Sequence, residues 1–132
     1  MPNNLIQSYI TFKKAYEKLQ EFLNTDNGSE KDQAAIIHAY EYTFELWWKF
    51  LQKYLEITET TTEHGPGSTI RNAFQYGILD DGQKYMDMLR DRNLIEHTYK
   101  ESTAKDIYEN IKKLHIVTLK EFVNKFDHKI II

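Results

Sequence analysis

Hydrophobic residues recur along the chain at the three- and four-residue spacing that is typical of helices. In the first segment, from about Asn4 to Asn24, they form a single apolar stripe: Leu5, Tyr9, Phe12, Tyr16, Leu19 and Leu23. The turn-rich stretch Thr25–Gly28 ends this segment, and Ser29 with Asp32 resembles a helix N-cap followed by an acidic N3 residue. The pattern therefore predicts one amphipathic helix and the start of a second.

The second helix, over about Glu30 to Ile57, is predicted to be buried on two sides. Its hydrophobic positions are too many for one narrow stripe: Ile36, Ile37, Tyr40, Phe44, Trp47, Phe50, Leu51, Tyr54 and Leu55. We expect one of Trp47 and Trp48 in the core and the other against a neighbouring helix or subunit; an aromatic platform for a nucleobase is the alternative. Glu45 and Lys49 have the i,i+4 spacing of a surface ion pair.

Shorter helices are predicted after the polar loop Thr58–Gly67. Ser68 is expected to cap a third helix over Thr69–Tyr76, which Gly77 terminates. Asp80 and Asp81 precede a fourth helix over about Gln83–Tyr99. The hydrophobic residues expected to face inward on this fourth helix are Tyr85, Met88, Leu89, Leu94 and Ile95.

A fifth helix is predicted to begin at Ser102 or Thr103. Its inward stripe is expected at Ile107, Ile111, Leu114, Thr118, Phe122 and Phe126. The apolar tail Ile130–Ile132 has no assigned role and is expected either to cover a partner or to fray. Helices with short connections predict an all-α, up-and-down bundle of four to five helices, and we expect residues 1–132 to form one domain.

Composition narrows the class of protein. The 132 residues include nine Tyr, seven Phe and two Trp but only five Gly and two Pro, which disfavours both a turn-rich β-sandwich and disorder. The absence of Cys excludes disulfides and thiolate metal sites. A net charge of −3 argues against a general nucleic-acid binder but leaves room for a local phosphate site. With no long apolar segment, we expect a cytoplasmic protein without a membrane span.

Metal and phosphate-loop patterns do not occur in the sequence. None of the five His residues has a Glu three positions before it, as a di-iron carboxylate bundle requires, and there is no HExxH motif. The Gly65–Gly67 segment lacks the Lys of a P-loop. We therefore expect neither a metal nor a cofactor.

The segment Arg90–Tyr99 gathers the candidate functional residues. Arg92 can bind phosphate with two N–H groups, the imidazole of His97 can accept or donate a proton, and Tyr99 adds a phenol. Asn93 has i,i+4 spacing to His97, as it would on one helix face. Alternatively, Arg92 is only neutralised by Glu96, which has the same spacing to it.

The segment Ile70–Tyr99, IRNAFQYGILDDGQKYMDMLRDRNLIEHTY, together with YEYTFELWWKFLQKYLE at Tyr40–Glu56, resembles the nucleotidyltransferase substrate-binding protein family of the HEPN superfamily. The resemblance covers nearly the whole chain. It implies a dimerising helical bundle that works with a small nucleotidyltransferase encoded nearby. The motif Arg-x4-His-x-Tyr of that superfamily matches Arg92, His97 and Tyr99.

The resemblance also implies roles for these residues. Motifs of two subunits would face one cleft and form a metal-independent ribonuclease centre. In it His97 would act on the RNA 2′-hydroxyl or the leaving 5′-oxygen, Arg92 would hold the phosphate charge, and Asn93 would orient the phosphate or His97. Tyr99 would accept AMP from the nucleotidyltransferase partner. This modification would inactivate the ribonuclease, which acts as a toxin in related proteins of that superfamily.

Three interpretations of the function remain open from the sequence. The first is a toxin-type endoribonuclease, as a homodimer or a dimer of dimers, controlled by its nucleotidyltransferase. The second is a non-catalytic subunit that binds the nucleotide or RNA substrate for that enzyme. Glu96 bears on this choice, because a carboxylate facing the cleft would repel RNA. The third is a purely structural helical adaptor.

Overall fold

The computed structural model describes residues 1–130 and consists of helices joined by short connections. The α-helices are α1 (Asn3–Asn24), α2 (Glu30–Thr58), α3 (Pro66–Gln75), α4 (Gly82–Leu94), α5 (Glu101–Asn110) and α6 (Ile116–Ile130). A π-helical turn, Ile111–His115, joins α5 to α6 without a break, so these two form one fifth helix. The all-α fold class is confirmed, and residues 1–130 contain no strand.

Helix α2 is the centre of the molecule. It packs against α1, α3, α4 and α5, while α6 packs against α1. The core between these helices is largely aromatic: Trp47 is fully buried, stacks on Tyr85 at 5.2 Å between ring centroids and meets the edge of Phe122 at 5.7 Å. Trp48 is only half-buried against this core. The expectation that just one of the two adjacent Trp residues is a core residue is confirmed.

Two of the predicted helix starts are confirmed by their caps. The Ser29 hydroxyl accepts the backbone N–H of Asp32 at 3.1 Å, which begins α2. The Asp81 carboxylate accepts the N–H of Gln83 at 3.0 Å, which begins α4. These side chains provide acceptors for the backbone donors that a helix leaves free in its first turn.

Two other predicted starts are wrong. Helix α3 begins at Pro66 rather than Thr69, because proline is well suited to the first turn, where its missing N–H costs no hydrogen bond. Ser68 therefore lies inside the first turn instead of capping it. The fifth helix begins at Glu101, one residue before Ser102, and its N-cap residue makes no side-chain hydrogen bond.

The buried position in the π-helical turn differs from the predicted one. His115 is 2% exposed, whereas Leu114, the predicted core residue, is 56% exposed. His115 follows the buried Ile111 by four positions, a helical spacing that keeps the two residues on one face. The inward positions return to the predicted stripe at Thr118, Phe122 and Phe126.

Helix α4 is shorter than predicted. It ends at Leu94 instead of Tyr99, and a 3₁₀ turn over Ile95–His97 follows. Leu94, a predicted inward residue, is 37% exposed. The buried position near this end is taken by Asp91.

At the carboxyl end of the described chain, Ile130 is buried in the core. Part of the apolar tail thus packs against the bundle, and Ile131 and Ile132 lie outside the described residues. None of the helices in residues 1–130 combines the length and the apolar character that crossing a membrane requires.

Candidate functional site at the end of helix α4

A buried polar cluster anchors the last turn of α4. Asp91 is 2% exposed, and its Oδ2 accepts hydrogen bonds from Nε2 of His115 at 2.6 Å and from Nδ2 of Asn110 at 3.0 Å. Both partners belong to the fifth helix, at and just before the π-helical turn. Because a buried carboxylate is costly unless it is paired and hydrogen-bonded, this cluster fixes the end of α4 against the fifth helix.

Tyr40 of α2 closes the same cluster. Its ring stacks on the imidazole of His115 at 5.3 Å, and its hydroxyl donates to the backbone carbonyl of Met88 at 2.7 Å. Burial, and then the negative charge of Asp91, raise the pKa of Tyr40 well above its ordinary value. The hydroxyl therefore stays protonated and remains a donor to the backbone of α4.

Arg92, the next residue after Asp91, makes its contacts outside that buried cluster. Its side chain is 30% exposed, and Nη2 forms an ion pair with Oε1 of Glu45 on α2. Its Nη1 donates to Oδ1 of the adjacent Asn93 at 3.2 Å. The Arg92 charge also lies in the last turn of α4, where the helix dipole favours a cation.

His97 and Tyr99 lie on the irregular segment after α4. The 3₁₀ turn is closed by the Thr98 hydroxyl and backbone N–H, which both donate to the Ile95 carbonyl, at 2.9 and 3.1 Å. His97 and Tyr99 are exposed, and their ring centroids are 6.1 Å apart. Tyr99 is 77% exposed, which leaves its hydroxyl open to another molecule.

The structure brings the four candidate residues together in two pairs. Arg92 contacts Asn93, and His97 lies beside Tyr99. No hydrogen bond or ion pair between described residues joins the first pair to the second. The expected helical neighbourhood of Asn93 and His97 is wrong, because α4 ends between them at Leu94. The alternative partner Glu96 is exposed, and Arg92 pairs with Glu45 instead.

A groove of about 640 Å³ lies beside Tyr99. The first turns of α5 and the amino-terminal half of α2 form its walls, with Glu41 and His38 on one side and Lys105 on the other. Its chemistry is mixed, with carboxylates, one ammonium group and apolar surface. Within residues 1–130, no three His, Asp or Glu side chains are grouped so that they could hold a metal ion.

Three residues of this site are not identified by the sequence pattern. That pattern assigns Glu45 to a surface pair with Lys49 and gives no role to Asp91 or His115. A signal exists for Asp91: it follows Met88 by three positions, so a helix would place it on the inward face. A charged residue at such a position indicates a buried network, because it is costly without partners.

Comparisons with known proteins agree with this arrangement of helices and with the resemblance seen in the sequence. A crystal structure of a Thermus thermophilus protein matches with a TM-score of 0.79 and 31% sequence identity, covering 86% of this chain and 97% of that one. A Haemophilus influenzae protein named "Probable ribonuclease HepT" is 27% identical over 82 residues, which are 59% of this chain and 56% of the relative. The family model described as "Nucleotidyltransferase substrate binding protein like" matches residues 7–128. The chain therefore belongs to the nucleotidyltransferase substrate-binding protein family.

Proposed function

We propose that this chain is the ribonuclease subunit of a two-component module and that a small nucleotidyltransferase controls it. The substrate is RNA, and the reaction is metal-independent cleavage that leaves 2′,3′-cyclic phosphate ends. The observation that carries the proposal is the exposed segment Arg92–Tyr99, whose candidate side chains surround the end of α4 in a member of this family. The name of the Haemophilus relative supports the same activity.

The chemistry assigns one role to each side chain. His97 moves a proton at the 2′-hydroxyl, whose oxygen attacks phosphorus, or at the 5′-oxygen, whose bond to phosphorus breaks. Arg92 stabilises the negative charge that accumulates on the phosphate oxygens. Asn93, which accepts a hydrogen bond from Arg92, orients the phosphate or the guanidinium.

The complete site contains motifs of two chains, and the protein is therefore a homodimer or a dimer of dimers. Within one chain the Arg92–Asn93 pair and the His97–Tyr99 pair are not joined by a hydrogen bond between described residues. A second copy would place its own His97 in the same cleft. Cleavage by general acid–base catalysis needs one group to accept a proton and another to donate one, which two His97 side chains provide.

Tyr99 is the point of control. Its phenol is 77% exposed, so a nucleotidyltransferase can reach the oxygen without unfolding the bundle. Transfer of AMP joins the phenol oxygen to the α-phosphorus of ATP and releases pyrophosphate. The added phosphate brings negative charge close to His97 and repels the RNA backbone.

A second candidate is a subunit that binds the substrate for its nucleotidyltransferase without cutting it. The ion pair between Arg92 and Glu45 favours this candidate, because a partly neutralised guanidinium stabilises the added charge of a cleavage transition state less well, while it can still donate hydrogen bonds to a bound phosphate. The same exposed segment would then hold a nucleotide or RNA end. A substitution of Arg92 would then weaken the binding of the nucleotide or RNA, and there would be no cleavage activity to lose.

Cleavage by the purified chain alone separates the two candidates. Wild type in excess EDTA is expected to cut RNA, and His97→Ala to lose about 100-fold or more of that activity, as removal of a general acid–base group does. His128→Ala, which changes an exposed His on α6, is the matched control and is expected to keep the activity. RNA that is bound but left uncut by wild type would establish the second candidate; neither binding nor cutting would refute both.

A further inference from the structure

The side chain of Arg92 is held by a pair of residues on α2. Glu45 and Trp48 lie three positions apart, so they share one face of that helix. The indole Nε1 of Trp48 donates to Oε2 of Glu45 at 3.1 Å, and Oε1 of the same carboxylate pairs with Nη2 of Arg92. The two carboxylate oxygens thus have different partners, one on α2 and one on α4.

This arrangement replaces the surface pair that the sequence suggested. Lys49 is exposed, and its Nζ lies 6.0 Å from the ring centroid of Trp48 instead of pairing with Glu45. The Glu45 and Arg92 side chains are 27% and 30% exposed, so solvent screens their attraction less than it screens a pair at the open surface. Because this ion pair joins α2 to α4, it constrains the side chains of both Glu45 and Arg92.

The effect on Arg92 is geometric. Its guanidinium is planar, and two of its nitrogens already have partners: Nη2 with Glu45 and Nη1 with Asn93. A long side chain held at both of these nitrogens loses most of its rotamer freedom before any ligand arrives. The remaining N–H groups of a fixed guanidinium can then meet a phosphate without further ordering.

We propose that Glu45, itself oriented by the Trp48 indole, is the positioning residue of Arg92. Glu45 touches no substrate and acts only by fixing the direction of the guanidinium, which a reacting phosphate requires within a fraction of an ångström. This proposal rests on the proposed ribonuclease function for its effect on rate. The contact between Glu45 and Arg92 is testable without that function.

The test compares Glu45→Gln with Glu109→Gln. Glu109 is a matched control, because its side chain is 33% exposed and pairs with Lys113 at 3.0 Å on the fifth helix, without contacting Arg92. In Glu45→Gln, kcat for RNA cleavage is expected to fall about tenfold from lost orientation. KM is expected to stay constant or fall, since a negative charge near the phosphate is removed. Trp48→Phe keeps the ring but loses the donor, and a fall in kcat of about threefold is expected.

A second readout follows Arg92 directly. Phenylglyoxal labels free guanidinium groups, and Arg90, whose side chain is 62% exposed two residues away, is an internal reference. Labelling of Arg92 relative to Arg90, measured by peptide mass spectrometry, is expected to rise several-fold in Glu45→Gln and to be unchanged in Glu109→Gln. Unchanged labelling in both variants would overturn the contact.

The outcomes also separate this proposal from the proposed function. If wild type cuts no RNA, the ribonuclease function fails, while labelling still decides whether Glu45 holds Arg92. A kcat that is unchanged or higher in Glu45→Gln would overturn the positioning role and identify Glu45 as an inhibitor of Arg92. If Glu45→Gln lowers kcat, raises KM and also lowers the free energy of unfolding, Glu45 has a structural role and is not a positioning residue.

Discussion

The two ends of the segment Asp91–Tyr99 differ strongly in their exposure to solvent. Asp91 is 2% exposed and has hydrogen-bond partners on the fifth helix, whereas Tyr99 is 77% exposed on an irregular turn. One end is therefore fixed by the core, and the other is open to a second protein or to RNA. The same short segment therefore combines a rigid support with an accessible group.

Rigidity and access follow from different local structures. The Asp91 end is an α-helix whose last turn is held from two sides, by the buried cluster around His115 and by the Glu45–Arg92 ion pair. The Tyr99 end begins where α4 stops at Leu94 and continues as a 3₁₀ turn. Such turns have poorer hydrogen-bond geometry than α-helices. This end can therefore change its conformation more easily when another molecule binds.

The largest effect is expected at the buried end. Asp91→Ala leaves the buried His115 imidazole and the half-buried Asn110 amide without their common acceptor, and the free energy of unfolding is expected to fall by about 3–5 kcal/mol. Urea unfolding followed by circular dichroism measures this change. Asp91→Asn, which keeps the shape and one acceptor oxygen, is the control and should lose less; equal losses would show that the carboxylate charge, which both variants remove, accounts for the whole effect.

The next largest effect on the free energy of unfolding is expected to differ between two adjacent residues of the π-helical turn. His115→Ala removes a buried side chain that stacks on Tyr40, so a loss of about 2–3 kcal/mol is expected. Leu114→Ala changes a residue that is 56% exposed and should stay within about 0.5 kcal/mol of wild type. The reverse order of these two losses would mean that Leu114, rather than His115, occupies the buried position.

Alkaline pH should also weaken the buried end. Burial and the charge of Asp91 raise the pKa of Tyr40 in the folded chain, so the folded state keeps this proton when the unfolded state loses it. Stability from Tyr40 is therefore complete below about pH 10 and is lost as the pH rises above it, by up to about 1.4 kcal/mol per pH unit.

Tyr40→Phe provides the comparison for this pH dependence. The variant loses the hydrogen bond to Met88 at every pH, which costs about 1 kcal/mol. Its free energy of unfolding should then fall less steeply than that of wild type between about pH 10 and 11. Identical slopes for the two proteins in urea titrations would contradict the assignment of this pKa shift to Tyr40.

The smallest effect on stability is expected at the open end. Tyr99→Phe removes a hydroxyl from a side chain that is 77% exposed, and the free energy of unfolding should change by less than about 0.5 kcal/mol. Thermal unfolding checks this directly. A loss above about 1 kcal/mol would show that Tyr99 has a structural role, and the contrast between the two ends would fail.

Most of the fold could be predicted from the sequence because its main signal is local. The stripe from Leu5 to Leu19 and the broad apolar pattern of α2 are buried as expected, since aromatic residues at helical spacing can only be covered by packing helices together. Ser29 and Asp81 indicate the helix starts for the same local reason. The lengths of the first two helices and the bundle architecture follow from these signals.

The π-helical turn and the early end of α4 could not be predicted in this way. No Gly or Pro occurs between Leu94 and Tyr99, so the sequence contains no local signal that would stop a helix there. His115 lies in the π-helical turn, and its partner Asp91 is on a different helix. The predicted partner of Glu45 is wrong for the same reason, because its actual partner Arg92 is distant in sequence.

The most direct test of the central claim is RNA cleavage by protein produced with and without an active nucleotidyltransferase as its proposed partner. Wild type produced alone is expected to cut RNA, and wild type produced with the partner is expected to be inactive and to gain the mass of AMP on Tyr99. Tyr99→Phe is expected to gain no mass and to cut RNA in both preparations. Equal silencing of Tyr99→Phe, or a silenced wild type without added mass, would contradict control through Tyr99.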